Sequence, residues 1–110
     1  MIRQSYTAIV ERNVTFSGAF ATEPYECGWA SEAVFFVRTV ASEGPVAGTR
    51  LQAQISPDGM RWCNEGSEVK LDGEELVFCR VSQFGNWLRL AGELPEGASA
   101  RVIVALALKE

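Results

Sequence analysis

Five acidic residues crowd one stretch of the chain: Glu65, Glu68, Asp72, Glu74 and Glu75. Two carboxylates facing each other across a cleft can hydrolyse a glycosidic bond, one as acid and one as base or nucleophile. These five fall around the turn signal Asp72-Gly73, where carboxylates are solvated hairpin tips, and no spacing sets two of them across a cleft. The other inviting carboxylate is Asp58, in Ser56-Pro57-Asp58-Gly59. A calcium loop needs several oxygen ligands at close spacing. Asp58 stands alone, with Asn64 and Glu65 arriving only after the turn. A turn accounts for each residue without a metal. Pro57 has φ preset for the second position of a type I turn, Asp58 suits the third, and Gly59 takes the left-handed position of a bulged hairpin. Ser56 can accept from the turn amides, and Trp62 packs just beyond.

Histidine is absent. That removes the commonest general base and metal ligand, and with it a Ser-His-Asp triad or a Cys-His pair within one chain. The three cysteines, Cys27, Cys63 and Cys79, are widely spaced and odd in number. They form neither a disulfide framework nor a Cys-x-x-Cys metal or redox motif. Free thiols in a reducing compartment are expected, with Cys79 a small core residue in a strand; one disulfide with a spare thiol is the alternative. The chain is read as non-enzymatic, with no metal and no cofactor.

A formal net charge of -4 argues against nucleic acid and against an anionic membrane surface. Basic residues are unequal: arginine outnumbers lysine, which occurs only at Lys70 and Lys109. Arginine is the better interface residue, because its planar fork is weakly hydrated and bonds bidentately; a base-composition bias gives the same excess. The N-terminus, MIRQSYTAIVERN, lacks the long apolar core of a signal peptide. No apolar run reaches the roughly 18 residues of a membrane helix. The expected setting is the cytoplasm or an assembled particle.

The aromatic residues offer a second kind of chemistry, stacking on a sugar ring. Trp62 and Trp87 read as core and rim packing, since tryptophan is usually mostly buried. Tyr25 and Trp29 differ. They sit in a long connection, Ala21 to Glu32, beside Glu23 and Glu26. Such a loop either folds back on the core or meets a partner or ligand, carbohydrate included.

The elements that must hold these residues read with period two, and helix signals are scarce. Strands are expected over Gln4–Val10, Val14–Phe20, Glu32–Val40, Arg50–Ser56, a return strand opening at Met60, Ser67–Leu71, Glu75–Ser82, Trp87–Ala91 and Ala100–Lys109. In Glu32–Val40, Val34 and Phe36 point one way and Phe35 and Val37 the other, as in a central strand covered on both faces. The last strand sets Val102, Val104, Leu106 and Leu108 on a core face. Its other face reads Arg101, Ile103, Ala105, Ala107, Lys109. A half-exposed strand should be polar there. Ile103, Ala105 and Ala107 therefore need a cover, either another part of this chain or a second subunit. The N-terminal strand either completes its own sheet or augments a neighbour's.

About eight short strands with turns between them point to a single domain over residues 1–110: an all-β antiparallel sandwich, jelly-roll-like. Leu51 to Trp62, carrying Ser-x-Asp-Gly-x-x-Trp, and the later Trp87-Leu88-Arg89-Leu90 resemble the discoidin-like sandwiches. They also resemble β-sandwich modules of phage tail and capsid-associated proteins. The resemblance implies a sandwich that binds or assembles. The leading expectation is a structural subunit that forms a homo-oligomer or larger assembly, virion-associated, capsid-like or filamentous. The second is a carbohydrate-binding module using Tyr25 and Trp29.

Overall fold

The period-two alternation becomes nine antiparallel strands in two sheets. The structure is a computed structural model and describes residues 3–110. In chain order the strands are β1 (Ser5–Ser17), β2 (Ala19–Ala21), β3 (Tyr25–Glu26), β4 (Glu32–Glu43), β5 (Thr49–Ser56), β6 (Cys63–Leu71), β7 (Leu76–Ser82), β8 (Trp87–Glu93) and β9 (Ser99–Lys109). The first sheet runs β1-β9-β4-β7 and the second β2-β8-β5-β6, with β3 also paired to β8. With β3 set aside, this is the order of two interleaved Greek keys, a jelly roll.

The inner faces meet in one core. Phe35 and Val37 of β4, and Val104, Leu106 and Leu108 of β9, pack against Leu51 and Ala53 of β5, Val69 of β6, and Leu88 and Leu90 of β8. Each is almost fully buried. The core face expected of the last strand is therefore correct, and in β5 Leu51 and Ala53 point inward with Ile55 packed against the core.

Several local expectations change. The first two expected strands are one element that switches sheets. β1 continues through two register slips, between Ile9 and Glu11 and between Glu11 and Val14, with Asn13 at φ 60° inside the second. Gly18 then turns the chain into the second sheet at φ 60°, a region open to glycine at little cost. Phe16 and Phe20 stack across that corner with ring centroids 4.2 Å apart. β1 pairs with β9, so the N-terminal strand completes its own sheet.

The long connection is partly structured. Tyr25 and Glu26 pair with Leu88 and Trp87, and Thr22 exchanges bonds with Leu90 through its N–H (2.8 Å) and its Oγ1 (3.0 Å). The chain crosses to the first sheet only after Cys27. The return strand does not open at Met60. Met60, Arg61 and Trp62 extend the turn, and β6 begins at Cys63 and runs to Leu71 as one strand with a register slip in its pairing to β5. The largest correction concerns β4. It is central, between β9 and β7, yet only its Phe35 face is covered. Among the described residues, nothing covers the outer side of the first sheet.

Candidate functional site

Register places the uncovered residues in rows across the outer face of the first sheet. One row reads Ile9, Ala105, Phe36, Phe78, from β1 through β9 and β4 to β7. The next reads Thr7, Ala107, Val34, Arg80. A third holds Ile103, Arg38 and Leu76. Side chains on one face of a sheet meet as direct cross-strand neighbours, so the apolar members form one patch. Ile9 is 44% exposed, Phe78 49% and Leu76 56%, while Val34, Phe36, Ile103, Ala105 and Ala107 are half-buried by one another.

The patch has relief. Phe36 and Phe78 lie side by side, ring centroids 6.1 Å apart, and make a ridge. Ala105 and Ala107 make the floor beside it. Glu32, Val34, Arg80, Ala107 and Lys109 line a shallow groove of about 370 Å³ there. Charges flank the patch, and Arg38 interrupts it between Ile103 and Leu76. Arg38 Nε donates to Glu75 Oε1 at 3.0 Å, Arg3 pairs with Glu32, and the Arg80 guanidinium lies 5.0 Å from the Phe78 ring centre. An apolar centre with a polar rim is the anatomy of a contact surface.

The three residues singled out on β9, Ile103, Ala105 and Ala107, are thus brought together, and they face away from the second sheet. Sequence reasoning missed their neighbours Ile9, Val34, Phe36, Leu76 and Phe78. The signal was present in Val34-Phe35-Phe36-Val37, an apolar run that demands cover on both sides.

The structure separates Tyr25 from Trp29. Tyr25 pairs with Leu88 and packs against the core; burial and the neighbouring Tyr6 push its phenol pKa up. Trp29 stays 43% exposed in the crossover.

Ser56, Pro57, Asp58 and Gly59 form a self-contained turn. Ser56 Oγ accepts from the Gly59 N–H at 2.8 Å and the Asp58 N–H at 3.2 Å. Asp58 Oδ1 accepts from the Met60 and Arg61 N–H groups, each at 2.9 Å, and Oδ2 from the Arg61 guanidinium at 2.8 Å. The bonds from Arg61 and Met60 hold the Asp58 carboxyl at a pKa of about 2. Gly59 takes φ 78° and lies against the Trp87 ring. The carboxylate is consumed by its own loop.

The acidic stretch does not converge either. Glu68 is bound by Gln52 and Arg50, Glu75 by Arg38, and Glu65 accepts from the Ser67 N–H. Among the described residues no group of three His, Cys, Asp or Glu side chains is placed to hold a metal ion. All three cysteines are free; Cys27 and Cys79 are buried, and burial pushes both thiols up to about 11. On the outer face of the second sheet, Arg89 lies over Trp62 at 4.3 Å and donates to Gln54 at 2.7 Å, a polar, self-satisfied surface.

No protein-family model matches this chain, and no curated protein does. Solved structures do. A SPBc2 prophage-derived protein, YomS, is similar over 100% of this chain and 96% of its own, with a TM-score of 0.68 at 8% identity. FLHE covers 97% of this chain and 95% of its own, with a TM-score of 0.47 at 16% identity. The first likeness is one of fold.

Proposed function

We propose that this chain is a non-catalytic structural subunit that self-associates through the outer face of its first sheet. One observation carries the reading. Both central strands, β4 and β9, present apolar side chains on a face that nothing among the described residues covers. An exposed apolar sheet face is an aggregation hazard in a monomer, and assembly removes it.

Strand spacing and rise give the face about 450 Å² in plan. That is within the roughly 300–600 Å² of the largest patches on monomers, which are often functional. The ridge of Phe36 and Phe78 beside the floor of Ala105 and Ala107 suits a two-fold contact, in which each copy's ridge fills the other's floor. The jelly roll is shared with a prophage-derived protein, and this fold-level likeness supports a virion-associated or capsid-like setting.

Light scattering of the wild-type chain beside Ala105→Arg tests the reading. The variant is expected to lose mass while keeping its strand signature by circular dichroism. Equal mass for the two proteins would reject the face as the contact.

A further inference from the structure

Each sheet ends in two edges: β1 and β7 in the first, β6 and the β2–β3 pair in the second. Three of the four are broken in ways that stop an edge from pairing. β1 slips register twice. β2 and β3 are short, with Pro24 between them. β6 slips opposite Gln52 to Gln54, carries Gly66 at φ 117°, and bears Glu65, Glu68 and Lys70. Bulges, short strands, proline and charge are the devices that guard sheet edges. β7 has none of the first three. It pairs with β4 from Leu76 to Ser82 without a slip, and its one charge is Arg80.

The register fixes which of its backbone groups are free. In an antiparallel ladder the bonds join opposite residues and occur at alternate pairs. The Thr39 N–H donates to the Glu75 carbonyl at 2.9 Å, one step beyond the Arg38–Leu76 pair. The alternation then assigns Val77, Cys79 and Val81 to β4. The N–H and C=O groups of Leu76, Phe78, Arg80 and Ser82 point to the open edge.

We infer that β7 pairs antiparallel with β7 of a second copy, across a two-fold axis at Cys79. That register sets Leu76 opposite Ser82 and Phe78 opposite Arg80, so every free residue of both strands is paired. An axis at Phe78 would leave Ser82 without a partner. An axis at Arg80 would set like charges directly opposite, which destabilises a ladder. With the axis at Cys79, each Arg80 cation meets an aromatic ring of the other copy, repeating the contact it makes within its own chain.

The edge contact rests on backbone groups that the face contact does not use, and it supplies what the face lacks. About 450 Å² in plan falls short of the roughly 800 Å² per partner of a standard interface. Two different two-fold contacts on one subunit also let an assembly grow beyond a dimer, which a single two-fold contact cannot do.

Residue-resolved amide exchange on Ala105→Arg, with the face contact removed, tests the pairing. The expected result is a dimer at high concentration. The amides of Leu76, Phe78, Arg80 and Ser82 should slow at least tenfold as concentration rises. Arg80→Pro in the same background removes one outward N–H and leaves the β4 ladder intact; it should give a monomer with the other three amides fast. Leu76→Pro, at the start of the strand, blocks the same edge if Arg80→Pro does not fold. An Ala105→Arg protein that stays monomeric at millimolar concentration, with all four amides fast, overturns the edge pairing and leaves the face contact standing. If Ala105→Arg instead keeps the wild-type mass, the face contact is wrong, and slow or fast exchange at the four amides still decides the edge.

Discussion

Phe35 and Phe36 are consecutive in β4, and they meet opposite fates: Phe35 is sealed in the core, while Phe36 lies on the open face between Ala105 and Phe78. Strand geometry alone causes this, since successive side chains point to opposite sides of a sheet. The pair separates what folds the chain from what the fold leaves on its open face. Phe35→Ala is expected to cost about 3–5 kcal/mol of folding stability, the usual range for emptying an aromatic core site. Phe36→Ala should cost about 1 kcal/mol or less in the monomer and still weaken self-association. Denaturant melts at low concentration, paired with light scattering, check both halves. Equal folding losses would show that the outer face is covered within the chain.

Placing a charge on the face should act on association and spare the fold. Ala105→Arg would bury an unpaired guanidinium between copies, at a cost of about 3 kcal/mol or more, over a hundredfold in Kd. Its melting temperature measured as a dilute monomer should stay within a few degrees of wild type. Sedimentation at several concentrations gives the Kd directly.

Sequence periodicity made the sandwich legible because an alternating strand needs only one covered face to declare itself. The inward sets Leu51, Ala53, Ile55 and Val102, Val104, Leu106, Leu108 follow from it, while the turn at Ser56 to Gly59 follows from its residue types. The corner at Gly18 was hidden, since a glycine within an alternating run looks like one more strand position until the two sheets are seen. The pairing of Tyr25 and Glu26 with β8 was hidden for a related reason: a two-residue strand has too few side chains to show a period. The candidate face was half legible. Ile103, Ala105 and Ala107 were marked by being apolar where polar residues belong, but Ile9 and Phe78 join them only through register, which a single sequence does not disclose.

Asp58 gives a pH prediction with a definite sign. Its carboxyl sits at about 2 in the folded chain against an ordinary 3.8, so the unfolded chain binds the extra proton between those values. Stability from this loop is therefore fully present above about pH 4 and is lost as pH falls towards 2. Asp58→Asn should flatten that part of the acid limb in thermal melts between these pH values. An unchanged acid limb would remove Asp58 from the account.

The buried carboxylate Glu11 accepts the Glu23 N–H at 2.8 Å, tying the β2–β3 connection to β1. Glu11→Ala removes a charge-assisted bond and leaves that amide unmatched, a loss of about 1–3 kcal/mol. Amide exchange should quicken at Glu23. Protection there equal to wild type would show that the connection is held by the β3–β8 pairing alone.

Thiol reactivity reads the fold itself. Cys63 is exposed, while Cys27 and Cys79 are buried with thiols raised to about 11. At pH 8 a thiol reagent should modify Cys63 rapidly and the other two only after unfolding. Fast modification of Cys27 would contradict the core described here, in which it is fully enclosed.

Self-association through the open face of the first sheet, as proposed, shows directly in the mass of the particle in solution. The most direct measurement is the solution mass of the wild-type chain by light scattering over a hundredfold range of concentration, with electron microscopy of the same samples. Masses well above the 12.0 kDa of one chain are expected, rising to uniform particles or filaments. A clean 12.0 kDa species at the highest concentration would contradict it and turn attention to a sugar ligand at the exposed Trp29.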